Sequence, residues 1–298
     1  MVKIIGHRGL RHDKKTDENT LAAFRAAFQN ADGIETDISL SKDGTPFLVH
    51  DLGHLNLPRL RISRTINMLR YCLDRASAKK TKGKRLGDLS DKEIAALRLK
   101  KGGKMPRLSN LFALAAKYPG KTIDLELKGA GAVKPVLDEI DRAVKKGQIT
   151  RAQIVLTSFD HTAIAEAAKL APDIKRGIIF AGRRSANTPI YPWTGDKTRR
   201  YVPFSESAVK SKEMKAAAPD FAVMHTSMLG TKNIAALKSE FPQMRIAVWD
   251  SSKKPPEKNK TLKKALADPQ IAPHIAAVIT DYPQKAAAML RKKPQKKP

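Results

Sequence analysis

Residues 2–37 read VKIIGHRGLRHDKKTDENTLAAFRAAFQNADGIETD. A short apolar run, Val2–Gly6, ends in His7-Arg8-Gly9; a helix-forming run follows Asn19; a second strand-like run opens at Gly33. Strand, helix and strand with no tight turn between the strands make a βαβ unit, which sets the two strands parallel. The pattern recurs downstream. Strand-like runs at Thr122–Leu127, Gln153–Thr157, Lys175–Phe180, Asp220–Met224, Arg245–Trp249 and Ala276–Thr280 bring the number to eight. Helices are expected between them at 108–117, 132–146, 160–170, 206–217, 231–240 and 259–267, and after the last at 283–291. Asn19 is the expected cap of the first helix, and Ser90-Asp91-Lys92-Glu93 reads as a capping box. Eight such units close into a (β/α)8 barrel, a fold of about 250 residues that this chain can accommodate. The stretch from 38 to 121 is too long for one connection, so the barrel carries an insertion after a hairpin on its second strand. The expected layout is one barrel domain over 1–291, an insertion at about 52–120, and a basic disordered tail at 292–298. Residues 181–205 read as a long loop of the kind that is functional or disordered.

In such a barrel the chemistry sits at the carboxyl ends of the strands. Those ends carry His7 and Arg8, Glu35 and Asp37, Glu126 and Lys128, Thr157-Ser158-Phe159, Trp249-Asp250 and Thr280-Asp281. Beyond the second strand, Asp43-Gly44 between apolar runs is expected to form a two-residue hairpin loop. That register sets His50 opposite Asp37 and returns it to the mouth. Glu35 and Asp37 project to one side of their strand, and Glu126 joins them from its neighbour. Three carboxylates without a thiol or a His-rich set suit one Mg²⁺ or Ca²⁺ better than Zn²⁺. A hard cation beside Arg8 and Lys128 can neutralise a phosphoryl group. His7 and His50 supply a base and an acid near neutral pH. A small anionic phosphodiester is the substrate class that needs all of these at once.

The motifs GHRG at 6–9, ENT at 18–20, ETD at 35–37, SKDG to VHD at 41–51, MPRL at 105–108, LELK at 125–128, TSF at 157–159, VW at 248–249 and ITDYP at 279–283 span nearly the whole chain. Their identity and order resemble the glycerophosphodiester phosphodiesterase family, within the phospholipase C-like phosphodiesterase superfamily. The resemblance implies a (β/α)8 barrel with an insertion after the HD motif. It implies His7 and His50 as the catalytic pair and Glu35, Asp37 and Glu126 as ligands of a divalent cation. It further implies Arg8 and Lys128 at the phosphate, and Trp249 on the alcohol side of the pocket. The chain departs from the pattern in the extra run 52–72, the basic stretch 79–85, the loop 183–204 and His225. These departures bear on the alcohol part of the substrate.

Lys and Arg total 57 against 29 Asp and Glu, a formal charge of +28. Such a field attracts anions, and weak contact with anionic lipid or nucleic acid is expected through the basic surface and tail. Aromatics are only 5% and are not interleaved with the basic runs, which argues against a stacking platform for single strands. No apolar run is long enough for a membrane span, the N-terminus lacks a signal-peptide layout, and the single Cys72 fits a reducing, cytoplasmic setting. His12, His54, His161 and His274 are expected in loops or on the surface. Two other readings compete: a lysophospholipase D-like or sphingomyelinase D-like enzyme acting on lipid, and a basic barrel that mainly binds polyanions.

Overall fold

The computed structural model describes residues 1–298 apart from 12, 51, 58–61, 68, 129, 183–199, 251–254 and 292–298. The expectations for His12, for Asp51, for most of the 183–204 loop and for the tail lie outside the described residues, as does the side chain of His54. The strands in chain order are β1 (Lys3–His7), β2 (Gly33–Leu40), β3 (Pro46–Leu48), β4 (Leu52–Leu57), β5 (Ile62–Asn67), β6 (Thr122–Leu127), β7 (Ile154–Ser158), β8 (Lys175–Ile179), β9 (Phe221–His225), β10 (Arg245–Trp249) and β11 (Ile275–Thr280). β1, β2 and β6 to β11 pair side by side in parallel, and β1 pairs with both β2 and β11. The sheet therefore closes into an eight-stranded barrel. A helix follows each barrel strand: α1 (Leu21–Asn30), α2 (Leu108–Ala115), α3 (Val133–Lys145), α4 (His161–Leu170), α5 (Lys212–Ala217), α6 (Thr231–Glu240), α7 (Lys260–Ala267) and α8 (Pro283–Leu290).

Local sequence explains these elements. In α1, Ala23, Phe24, Ala27 and Phe28 recur at helical spacing and are buried against the barrel. Burying each phenylalanine contributes roughly 1.5–3 kcal/mol. α1 is capped by Thr20, whose Oγ1 accepts from Ala23 N at 3.4 Å, and not by Asn19. The expected helix at 206–217 breaks into Glu206–Val209 and α5, because Ser205 and Ser211 each cap their own turn. Inside the barrel, Ile5, Ile179, Val223, Ala247 and Ile279 form one layer. Side chains alternate along a strand, so the residues two positions on, His7, His225, Trp249 and Asp281, form the layer above, at the mouth. His161 was expected at the surface. It is buried in the first turn of α4, with Nε2 3.3 Å from the Ile179 carbonyl and its ring edge-on to Phe180.

The hairpin on β2 also differs from the expected one. β3 pairs antiparallel with β2 through Ile38↔Leu48, Ser39↔Phe47 and Leu40↔Pro46. Ser41 N donates to Thr45 O and Gly44 N to Ser41 O, both at 3.0 Å, so the loop is Lys42-Asp43-Gly44, with Gly44 at φ +80°. A side chain with a Cβ strongly disfavours that φ, which is why this three-residue turn takes glycine. The register moves by one, and Asp37 faces Val49, whose N–H donates to the Asp37 carbonyl at 3.1 Å. Residues 69–105 build a second small core in which Leu69, Leu73, Leu86, Leu89 and Ile94 pack with Phe47. The Ser90–Glu93 capping box is present there, and Asp91 receives Ser41 Oγ at 2.6 Å and Thr45 Oγ1 at 2.8 Å. Leu108, Leu111 and Phe112 of α2 belong to the main core instead. Among the described residues no helix is long and apolar enough to cross a membrane.

Candidate active site

The mouth is built from the turn after β1. Arg8 has φ +51°, a left-handed conformation that disfavours a side chain, and Gly9 follows at φ +75°. A Cβ at Gly9 would stand 2.7 Å from the Ala23 backbone, so α1 can sit this close only over glycine. The turn aims the Arg8 N–H at Glu35 Oε2, 3.0 Å away, and folds the Arg8 guanidinium back over Asp37, Nε to Oδ2 3.0 Å. Asn19 is also left-handed, at φ +56°, and its N–H donates to the Arg8 carbonyl at 3.0 Å. Its side chain donates to Asp37 Oδ2 at 3.1 Å and accepts from Thr36 Oγ1 at 2.8 Å. Glu18 pairs with Arg8 at 2.8 Å and with Arg11 at 3.3 Å. Asn19, expected as a helix cap, in fact holds the charged groups of the site together with Glu18.

Glu35, Asp37 and Glu126 each offer a carboxylate oxygen, and these oxygens lie within 4.8 Å of one another. Glu35 is 4% exposed and Asp37 0%. Lys128 Nζ stands 2.6 Å from Asp37 Oδ1 and pairs with Glu126. Burial, then Asp37, then Glu126 push the Glu35 carboxyl well above the usual carboxylate range. Burial also opposes charge on Asp37, but Arg8 and Lys128 hold it well below its ordinary value. Burial raises Glu126 as well. One layer down, burial lifts Asp124 to about 7, although Thr157 Oγ1 donates to it at 2.7 Å. Three carboxylates crowded this way repel one another, and Glu35 Oε1 is buried with no hydrogen-bond partner in the structure. Around them, Glu18, Glu35, Asp37, Glu126 and Asp281 face Arg8, Arg11 and Lys128, five acids against three bases. A formal excess of two negative charges and an orphaned carboxylate oxygen fit a divalent cation bound by oxygen ligands, whose charge would favour the ionised carboxylates.

His7 stands over this cluster. Its Nδ1 is 2.6 Å from Asp281 Oδ1, and its Nε2 is 3.8 Å from Glu35 Oε2. Asp281 thus holds the proton on Nδ1 and leaves the Nε2 lone pair facing the mouth. Burial lowers the His7 pKa, and the bond to Asp281 works against that. His50 lies two residues past the end of β3 and reaches the mouth despite the shifted register, close enough to feel the charges of Arg8, Asp37 and Lys128. Burial, then Arg8, keep it well below its ordinary pKa, and Asp37, Lys128 and His7 also act on it. Beside it opens a cavity of about 220 Å³ lined by Arg11, Glu18, Asn19, Tyr71 and Cys72.

Trp249 lies across the mouth from the carboxylates. Its ring is edge-on to Phe159, centroids 6.5 Å apart, and Phe159 is edge-on to Tyr201 at 5.1 Å. Tyr201 is 5% exposed; burial raises its phenol well above the ordinary pKa, and so do the nearby charges of Glu126 and Asp37. His225 completes the row, 4.9 Å from Trp249. The structure therefore joins His7, Arg8, Glu35, Asp37, His50, Glu126 and Lys128 in one cluster and sets Trp249 on a separate aromatic wall. Asp281 was visible as a strand-end group but given no role. Barrel closure puts β11 beside β1, and that was the available signal for it. Tyr201 follows a long loop and had no signal of its own.

Comparison with known proteins agrees with this architecture. A curated glycerophosphodiester phosphodiesterase from Caldanaerobacter subterraneus is 28% identical over 179 residues, 59% of this chain and 66% of its own length. The match thus spans just under two thirds of that relative. Among solved structures, a Galdieria sulphuraria chain provisionally named a glycerophosphodiester phosphodiesterase superposes with a TM-score of 0.69 at 21% identity, covering 98% of both chains. A phosphodiesterase from Oleispira antarctica, solved with the product sn-glycerol-3-phosphate, superposes with a TM-score of 0.65 at 18% identity over 97% of each chain. At those identities the superpositions speak for the fold alone. The profile of the glycerophosphoryl diester phosphodiesterase family matches residues 7–285, from His7 on β1 into α8, and the chain belongs to that family.

Proposed function

We propose that the protein hydrolyses glycerophosphodiesters to glycerol phosphate and an alcohol, using one divalent cation, Mg²⁺ or Ca²⁺. The observation that carries this reading is the convergence of Glu35, Asp37 and Glu126, with their oxygens within 4.8 Å of one another, beside a histidine oriented by a carboxylate. Those three residues would hold the cation, which when bound would draw charge from the phosphoryl oxygens. Arg8 and Lys128 carry the remaining positive charge to the phosphate. His7 takes a proton at Nε2 from the attacking oxygen, because its Nδ1 proton is already committed to Asp281. His50 donates a proton to the alcohol oxygen as the phosphorus–oxygen bond breaks. Held neutral in the free protein, His50 gains affinity for a proton when an anionic diester arrives beside it. Trp249 lines the side of the pocket that takes the alcohol.

We further read residues 1–291 as one catalytic domain and the single Cys72 as fitting a cytoplasmic setting; weak adhesion to anionic lipid or nucleic acid rests on the basic composition alone. The function is tested by measuring the phosphate monoester released from a panel of glycerophosphodiesters and lysolipids (glycerol phosphate from the former, its acylated form from the latter), with chelator and with added cation. Cation-dependent release from the small diesters is expected. Release from lysolipids alone would move the protein to the lipid-cleaving alternative.

A further inference from the structure

Loop 13–20, which carries Glu18 and Asn19, is gripped from outside the barrel by the turn at 99–103 of the insertion. The Asp17 carboxylate accepts the Lys101 N–H, at 2.9 Å to Oδ2 and 3.1 Å to Oδ1, and the Gly103 N–H at 3.4 Å. In the opposite direction, Lys101 Nζ donates to the Thr16 carbonyl at 2.7 Å and to the Asp13 carbonyl. Asp13 Oδ2 closes the turn that presents those carbonyls, accepting from Thr16 N at 2.9 Å and Thr16 Oγ1 at 2.7 Å. The Asp17 carbonyl accepts from Thr20 Oγ1 at 2.7 Å, which seats it against the start of α1. The turn at 99–103 is also fastened to the other side of the mouth. Leu99 bridges Leu73, and Lys100 N donates to the Cys72 carbonyl at 3.1 Å. Cys72 Sγ donates in turn to the His50 carbonyl at 3.4 Å. One turn of the insertion thus links the segment that holds Arg8 and Asp37 to the segment that delivers His50.

We infer that Asp17 and Lys101 are positioning residues, whose clasp fixes Glu18 and Asn19 and through them the Arg8 guanidinium and the Asp37 carboxylate. The backbone gives the reason. Asn19 stands in a left-handed conformation at φ +56°, and such residues persist only where their surroundings over-determine them. Each bond of the clasp is modest on its own, but together they hold a short loop at both of its faces, two residues upstream of Asn19. If the loop relaxes, the Asn19 amide leaves Asp37 and its N–H leaves the Arg8 carbonyl, so the guanidinium loses its backing. The insertion therefore takes part in the reaction by holding the barrel's own groups in register. The inference rests on the hydrolase reading given above and adds a part of the chain to its machinery.

The test uses the full chain and two readouts. Hydrogen exchange followed by mass spectrometry reads the amides at 101–103 and, separately, the Asn19 amide. In Asp17→Ala, exchange at 101–103 is expected to rise by about tenfold to a hundredfold, the size of hydrogen bonds to a charged group, and exchange at Asn19 to rise with it. Lys101→Ala, which leaves the Asp17 carboxylate in place, should give the same pattern more weakly. Asp17→Asn keeps an oxygen acceptor for the Lys101 N–H and should restore most of the protection. In saturating Mg²⁺ or Ca²⁺, kcat/KM for a small glycerophosphodiester should fall about tenfold to a hundredfold in Asp17→Ala and recover largely in Asp17→Asn. Adding Asp17→Ala to Asn19→Ala should cost little more than Asn19→Ala alone, because both remove the same constraint. Faster exchange confined to 101–103, an unchanged kcat/KM, or fully additive losses would overturn the inference and leave the hydrolase reading standing. Absence of turnover by the unsubstituted protein would overturn both.

Discussion

The two halves of the barrel mouth are built on opposite principles. The half formed by β11, β1, β2 and β6 carries Asp281, His7, Glu35, Asp37, Glu126 and Lys128, joined by ion pairs such as His7–Asp281 and Lys128–Asp37, both at 2.6 Å. The half reached from β7 to β10 carries Phe159, Tyr201, His225 and Trp249, joined by edge-on ring contacts. Buried charge is costly, and the first half tolerates it only because each group is held by another and the surplus suits a cation. The second half has no such debt and can vary without unmaking the first. The departure from the family pattern at His225 falls on the aromatic side, whereas the charged residues of the strand-end motifs are all present.

The comparison predicts where substitutions hurt most. Glu35→Gln, Asp37→Asn or Glu126→Gln should each lower turnover by about 10³-fold or more and weaken Mg²⁺ or Ca²⁺ binding in calorimetric titration. Unaltered cation affinity in all three variants would break the charged half as drawn. Removing either histidine should cost about 10²- to 10⁴-fold. A diester with a very acidic leaving alcohol should rescue His50→Ala far more than His7→Ala, and equal rescue would reverse or reject the assignment. Asp281→Asn should cost about 10- to 100-fold, because the amide no longer fixes the His7 tautomer. Its pH–rate profile should move with it, which a purely structural defect would not produce.

Much of this was legible in the sequence. The eight strands and most helices followed from runs of apolar residues, because period and length are local properties. The carboxylates and His7 followed from strand ends, since a closed barrel gathers those ends by construction. What stayed hidden depends on contacts between distant segments or on turn detail. His7 and Asp281 are 274 positions apart, and only barrel closure makes them neighbours. Asn19 had the chemistry of a helix cap, and nothing local showed that Thr20 would take that task and free Asn19 for Asp37. The sequence SKDGT admits both a two- and a three-residue turn, and the packing of Lys42 N on the Leu89 carbonyl, at 2.8 Å, accompanies the longer one. His161 looked like a surface residue because the Phe180 ring beside it comes from the end of another strand.

The aromatic half should respond more gently. Trp249→Ala is expected to raise KM about tenfold with a smaller change in kcat, as for lost binding that ground and transition states share. A collapse of kcat at unchanged KM would instead put Trp249 in the chemistry. The smallest effect on rate is expected behind this wall, where burial brings His161 down to about 4. In the unfolded chain that group titrates near 6.5, so below that pH the unfolded state binds a proton the folded state refuses. Its contribution is complete above about pH 6.5 and is lost as pH falls towards 4, at up to about 1.4 kcal/mol per pH unit. Denaturant titrations of His161→Gln and the parent between pH 7 and 4 should show a shallower loss in the variant, with turnover at pH 7 little changed. Parallel curves would mean that His161 takes up its proton without unfolding.

The most direct test of the account is the cation dependence of a small glycerophosphodiester's hydrolysis. Apo-protein in saturating EDTA should release no glycerol phosphate above background, and excess Mg²⁺ or Ca²⁺ should restore release in the parent but not in Glu35→Gln. Turnover that persists undiminished in saturating EDTA would contradict the claim that Glu35, Asp37 and Glu126 are gathered to hold a metal ion.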